Sequence, residues 1–251
     1  MAAQYELLKE LLNSGTKLDF GQEMFFKFYQ AFILNDRWVQ YIQGVGTTLL
    51  VTAIALALGV VLGSVAALNR GKWIDNVIIV IATCGIAVPS FVVCTILLYI
   101  FSLKLGWLPS YGLTGWKNYI MPVIALGFYL TAYICRLMRS SMLDVLGQDY
   151  MRTARAKGLS QGKSLFKHAL RNAILPVVTY LGPALAYTLT GSLIVEKIFT
   201  IPGLGDSFVS SIGRDYMVIM GTTIFLATLI ITMNVIVDIV YKIIDPRIKL
   251  K

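Results

Sequence analysis

"GVGTTLLVTAIALALGVVLGSVAAL", residues 44–68, contains no charged side chain and no proline. A helix that crosses the hydrocarbon core of a bilayer needs about 20 mostly apolar residues. The stretch therefore reads as a transmembrane helix. Four more segments meet the same standard, at 77–103, 119–138, 170–195 and 217–243. The fold class that follows is all-α, a polytopic membrane protein with about five transmembrane helices. Ahead of them, "EMFFKFYQAFIL" (23–34) is apolar but short and interrupted by Lys27. With "YELLKELL" before it, residues 1–43 read as an N-terminal interfacial segment, followed by a transmembrane domain over 44–251.

Composition agrees. The chain is 57% hydrophobic and 14% charged, with a mean hydropathy of +0.73, whereas a soluble domain is nearer half apolar and a quarter charged. The net charge of +9 would suggest nucleic acid in a soluble protein. Here the cations stand between apolar spans, and cytoplasmic loops of membrane proteins collect Lys and Arg. Nucleic acid is therefore set aside as a partner in favour of membrane lipid. Lys and Arg are dense in 69–76, in 139–169 and after 243, and thinner over 1–43, 104–118 and 196–216. That asymmetry predicts an N-out, C-in orientation. "MAAQYELLKELL" lacks the basic start and apolar core of a cleavable signal, so the first apolar span is expected to direct insertion.

Helix-perturbing residues lie inside the spans: Pro89, Pro122, Pro176 and Pro183. A broken helix at membrane depth is tolerated where it is buried in protein or lines a wet cavity, which makes Pro89 and Pro183 candidates for shaping a pathway. Gly59 and Gly63 have the spacing that lets two helix backbones approach closely. Ser90, Thr95, Thr131, Tyr133, Thr179, Tyr187, Thr188, Thr190 and Asn234 could line a path for a polar solute, or bond between helices. Arg136 and Asp238 lie near the cytoplasmic ends of their spans, where snorkelling or mutual pairing would accommodate them.

Catalytic chemistry finds no footing. "GLSQGKS" (158–164) imitates a phosphate-binding loop, but that loop needs four residues between the first Gly and the Gly-Lys-Ser. Gly158 and Gly162 have three between them, and no strand precedes them. His168 is the sole histidine, with no second ligand beside it, so no metal site is expected and His168 reads as a surface or interface residue. Cys84, Cys94 and Cys135 all fall within apolar spans and read as packing residues. No cofactor is implied.

The loop 139–169 is the most informative. "DYMRTARAKGLS" (149–160) has apolar and charged residues at helical spacing, and Gly158 is a natural helix stop. A second helix could start after Ser160 and run into the fourth span. The loop thus has the form of a knob that another protein could grip, or of a basic helix held by anionic lipid.

"RTARAKGLS" (152–160), "HALRNAILPVV" (168–178) and "IVEKIFTIPGLG" (194–205), with "AALNRGKWIDN" (66–76) and "GIAVPSF" (85–91), resemble in order and spacing the permease subunits of ABC importers of the dipeptide/oligopeptide/nickel branch. The resemblance covers about residues 64–251. It implies the type I ABC importer permease fold, a multi-pass protein of the bacterial plasma (inner) membrane with no catalysis of its own. The loop would form a coupling helix docking on a cytoplasmic ABC ATPase subunit through Asp149, Arg152, Thr153, Ala154, Arg155, Ala156, Lys157 and Gly158. The wider superfamily opens this motif with Glu-Ala-Ala; Arg152, Thr153 and Ala154 stand there in this chain.

Further partners implied are a second permease subunit, identical or paralogous, and an external solute-binding protein. Pathway or gate residues would be Pro89, Ser90, Thr131, Tyr187, Thr190, Pro202, Gly203 and Gly205. The solute would be a peptide or similar small polar molecule. "DRWVQYIQGVGTTLLVTAIALALGVVLG" (36–63) instead resembles polar amino-acid permeases, which leaves amino acids as an alternative solute. An ATP-independent secondary transporter is the alternative class; neither an inverted repeat nor a mid-membrane carboxylate supports it.

Overall fold

A computed structural model of the chain describes residues 1–33, 37–112, 115–158, 160, 164–201, 209 and 216–244, apart from some side chains within the helices. Among the described residues the regular structure is helical throughout. α1 (Ala2–Asn13) and α2 (Phe20–Phe28) form a small hairpin. Asp19 opens α2 with a capping box, its carboxylate accepting from the Gly21 N–H while the Gln22 side chain accepts from the Asp19 N–H. Tyr5 stacks on Phe26 and Tyr29, with ring centroids 4.8 and 4.7 Å apart. The segment expected at the interface thus has a small aromatic core of its own, and α2 also touches the last helix.

The apolar segments fall on α3 (Arg37–Leu68), α4 (Trp73–Ala87), α5 (Ser90–Leu97, continued by a π-helical stretch Leu98–Lys104), α6 (Lys117–Leu146), α8 (Leu175–Phe199) and α9 (Tyr216–Ile244). Between α6 and α8 lie the short helix α7 (Asp149–Ala156) and a π-helical turn Leu165–Leu170. Gly46–Leu68 and Lys117–Leu146 are each long and apolar enough to cross a membrane. α8 and α9, with 25 and 29 residues, rise about 37 and 43 Å at 1.5 Å per residue, more than the roughly 30 Å hydrocarbon core.

The segment 77–103, read as one span, is broken within. It is two helices, Trp73–Ala87 and Ser90–Lys104, bent by 105°. Pro89 has no N–H to continue the ladder, and its ring forces the preceding residue out of the helical region. Val88 accordingly sits at φ −83°, ψ 121°. The new helix starts from the Pro89 carbonyl, which accepts from the Val92 N–H at 3.0 Å.

α6 is the hub. α3 lies so close that a Cβ on Gly63 would stand 2.5 Å from the Cys135 carbonyl oxygen, and one on Gly59 2.7 Å from the Ile134 Cβ. α4 approaches the adjoining face, where Gly85 meets the Ala132 methyl in the same way. Leu130, Ile134, Met138 and Met142 fill the space between α3 and α8, in one cluster with Ala55 and Ala67 on one side and Ala173, Val177 and Ala184 on the other. A second cluster, Cys94, Met121, Ala125, Val195 and Phe199, closes the other end. The outer surface is apolar, with Leu50, Val61, Val80, Ile224 and Ile231 each more than half exposed, as a lipid-facing or subunit-facing surface requires.

One ion pair joins the loop 69–76 to the start of 139–169. Asp75, in the first turn of α4, is buried, and Arg139 grips it with both prongs, Nε to Oδ1 at 2.6 Å and Nη2 to Oδ2 at 2.7 Å. The Gly71 N–H donates to the same Oδ2 at 3.0 Å. Asp75 was not singled out by its sequence context, and Arg139 counted only toward loop charge.

Gly63→Val is expected to lower stability by about 3 kcal/mol or prevent folding, because the Cys135 carbonyl cannot yield as a side chain can. Gly46→Ala, with nothing within 4 Å of the new methyl, should leave thermal unfolding in detergent unchanged or slightly raised. Asp75→Asn should cost about 3 kcal/mol by leaving a partly buried guanidinium without its counter-charge. Arg139→Lys should restore little in that assay, since an ammonium cannot make the two-pronged contact.

Candidate coupling and translocation site

α6 continues past the predicted span end at 138 as far as Leu146. After Gly147 and Gln148 the chain restarts as α7, whose first backbone bond runs from the Met151 N–H to the Gln148 carbonyl at 3.1 Å. Asp149 sits in the first turn, where a carboxylate suits the positive end of the helix dipole. Gly158 lies just past its end with φ +75°, a left-handed conformation that costs glycine nothing.

α7 has two unlike faces. Met151 and Ala154 are buried, Met151 against the cluster that holds Met142, Ala169 and Ala173. Asp149, Arg152, Thr153 and Ala156, at i, i+3, i+4 and i+7, all point outward and are exposed, as are Lys157 and Gly158. Ala154 therefore seats α7 on its own protein and is turned away from the surface a partner would meet. At Gly158 the backbone angle is what demands glycine, for a Cβ there would meet nothing within 4 Å. The Arg155 side chain lies outside the described residues. Arg152 Nη1 stands 3.7 Å from Asp149 Oδ1 with both side chains exposed, a pair of little energetic weight. The Asn172 amide, just before α8, donates to the Tyr150 hydroxyl at 3.1 Å and to the His168 carbonyl at 3.0 Å. The first of these ties α7 to the foot of α8.

The expected pathway residues are described only in part. Pro89 and Ser90 stand at the 105° break. Thr131 lies on the side of α6 packed against α3, its carbonyl 3.1 Å from where a Gly59 Cβ would be. Tyr187 and Thr190 belong to α8, but their side chains lie outside the described residues, as do Pro202, Gly203 and Gly205 altogether. Just before these, Thr200 ends α8 at φ 54°. Several threonines satisfy themselves: the hydroxyls of Thr95, Thr179 and Thr188 donate to the carbonyls of Phe91, Leu175 and Ala184, four residues back.

Sequence reasoning missed one arrangement. Tyr129, Tyr133, Arg136 and Ser140 follow a 4-3-4 spacing on α6, which makes one polar stripe. Tyr133 stacks on Tyr180 of α8 at 4.1 Å, and Tyr129 lies 6.3 Å from Tyr133. A cavity of about 340 Å³ is lined there by Ile86, Tyr133, Arg136 and Leu137. Helical periodicity applied to the polar residues of the span, rather than to its apolar ones, would have found it.

Comparison with known proteins places this architecture. Residues 59–250 match the family described as binding-protein-dependent transport system inner membrane component. The dipeptide transport system permease protein DppB of Bacillus subtilis (strain 168) is 49% identical over 202 residues, 79% of this chain and 66% of DppB. The oligopeptide transport system permease protein OppB of Haemophilus influenzae is 42% identical over 250 residues, 98% of this chain and 80% of OppB. That match takes in the stretch 36–63 likened above to amino-acid permeases. The glutathione transport system permease protein GsiC of Escherichia coli (strain K12) is 43% identical over 198 residues, 78% of this chain and 65% of GsiC. The chain thus spans about two thirds of the length of DppB and GsiC.

Among solved structures, the inward-facing MetNI methionine ABC transporter aligns with a TM-score of 0.65 and 18% identity, over 84% of this chain and 99% of that one. An amino acid ABC transporter solved with histidines gives 0.62 and 19%, over 90% and 99%. At such identity these two speak for the fold alone. The relatives matched by sequence are transport permeases, not enzymes. The chain belongs to the family of binding-protein-dependent transport system inner membrane components.

Proposed function

We propose that the chain is the membrane-spanning permease subunit of an ATP-driven importer for peptides or similar small polar solutes. α7 is its contact with a cytoplasmic ATPase, and an external binding protein delivers the solute. The observation that carries this reading is the two-faced α7. Its inner residue Met151 is locked into the core, while Asp149, Arg152, Thr153 and Ala156 form an outward face with no partner among the described residues beyond the exposed Arg152–Asp149 pair and turn-to-turn bonds. A helix so mounted can receive a push and pass it to α6 and α8. The orientation that puts α7 in the cytoplasm is supported by the Asp75–Arg139 pair, which holds both cation-rich loops at one end of the bundle.

The solute class rests on the named solutes of the sequence relatives, which are dipeptides, oligopeptides and glutathione. A second permease subunit, identical or paralogous, completes the path between the two. The exposed apolar flanks of α3, α4 and α9 serve as the surfaces for that subunit and for lipid.

Ala156→Trp and Arg152→Glu change the outer face of α7 and nothing beneath it. In a complex reconstituted with its ATPase and binding protein, each should lower solute-stimulated ATP hydrolysis and ATPase retention about ten-fold, an anchor's worth of about 1.4 kcal/mol. The folding stability of the permease should stay within about 0.5 kcal/mol. Full stimulation by both variants would remove α7 from the coupling path.

A further inference from the structure

We infer that Arg136, with Tyr133 beside it, forms a way-station on the translocation path that holds the carboxylate of the passing solute. The inference rests on the transport reading above and adds to it a site and a chemical group. Arg136 lies three residues before Arg139, about 4.5 Å deeper along α6. Arg139 is neutralised by Asp75, whereas Arg136 is exposed and makes no ion pair with any described residue. Cations within spans characteristically face the bundle interior or a water-filled cavity rather than lipid, unless they snorkel to the interface.

Arg136 lines an open cavity of about 340 Å³, at the small end of the range that ligand sites occupy. The polar stripe above it leads there, and the stacked rings of Tyr133 and Tyr180 make its wall rigid. A guanidinium on a stiff aromatic wall recognises a planar carboxylate with two parallel bonds. A peptide in passage offers that group at its C-terminus. Ile86 and Leu137 supply the apolar remainder, so the site grips one end of the solute and stays indifferent to its side chains.

The test compares uptake of a dipeptide with uptake of its C-terminal amide, in vesicles holding the whole complex. The same binding protein loads wild-type and variant permeases, so the change in the acid-to-amide ratio isolates the permease. Arg136→Gln is expected to lower uptake of the free acid about ten-fold, the equivalent of one charge-assisted hydrogen bond, and to change the amide less than about two-fold. Arg136→Lys should recover part of the loss.

An unchanged ratio in Arg136→Gln overturns the inference alone. An equal fall for both solutes also overturns it, since that marks a structural role. Asp238→Asn removes the carboxylate that the sequence offers as a pairing partner; if it reproduces the loss, Arg136 serves an internal ion pair and the inference falls. It falls likewise if the loss appears only with phosphatidylglycerol added to phosphatidylcholine vesicles, for then Arg136 holds lipid headgroups. Absence of wild-type uptake of either solute would sink the transport reading, and this inference with it.

Discussion

Between Gly63 and the Cys135 carbonyl there is no room for a methyl group, and the architecture around α6 depends on that closeness. Inside a bilayer, apolar side chains gain nothing by leaving lipid for protein, so helices associate through tight packing and polar contacts. Gly59, Gly63 and Gly85 supply the tight packing on two adjoining faces of α6. The Asp75–Arg139 pair supplies the polar contact at the end where the geometry would otherwise splay. With α3 and α4 held this way, Met138 fills the seam beside α3 while Met142 reaches the cluster shared by α7 and the foot of α8. Methionine suits that task, since its unbranched, polarizable chain fills irregular space between elements that meet at different angles.

That arrangement also anchors α7. Met142 on α6, Met151 on α7, and Ala169 and Ala173 at the foot of α8 share one buried cluster. Close-packed interiors transmit displacement because they have little free volume to absorb it. A force on the outer face of α7 therefore reaches α6 and α8 together, through side chains with nowhere else to go. The hydrogen bonds of Asn172 to Tyr150 and His168 add direction to the same linkage.

Much of this was legible in the sequence because lipid imposes a simple rule on composition. Each apolar run became helix, and the Gly59–Gly63 spacing did mark a close crossing. Legibility failed where the outcome depends on a partner distant in sequence. Asp75 looks like any loop carboxylate until Arg139, 64 residues on, is brought beside it. Ala154 and Ala156 look alike on paper, and only the docking of α7 sends one inward and leaves the other exposed. Pro89 was visible as a perturbing residue, but the size of the bend comes from the packing of both halves against α6, which no local rule contains.

The polar inventory of the spans narrows how a solute can be handled. Thr95, Thr179 and Thr188 return their hydroxyls to their own helices, and Thr131 lies on the face committed to α3. The hydroxyls of Thr95, Thr179 and Thr188 are thereby satisfied within their own helices. On α6 the polar side chains Tyr129, Tyr133, Arg136 and Ser140 instead form one stripe, running toward the end of the helix from which α7 leaves. Of that stripe, Tyr133 and Arg136 share one opening with Ile86 and Leu137, which sets a cation and an aromatic ring side by side on one face of α6.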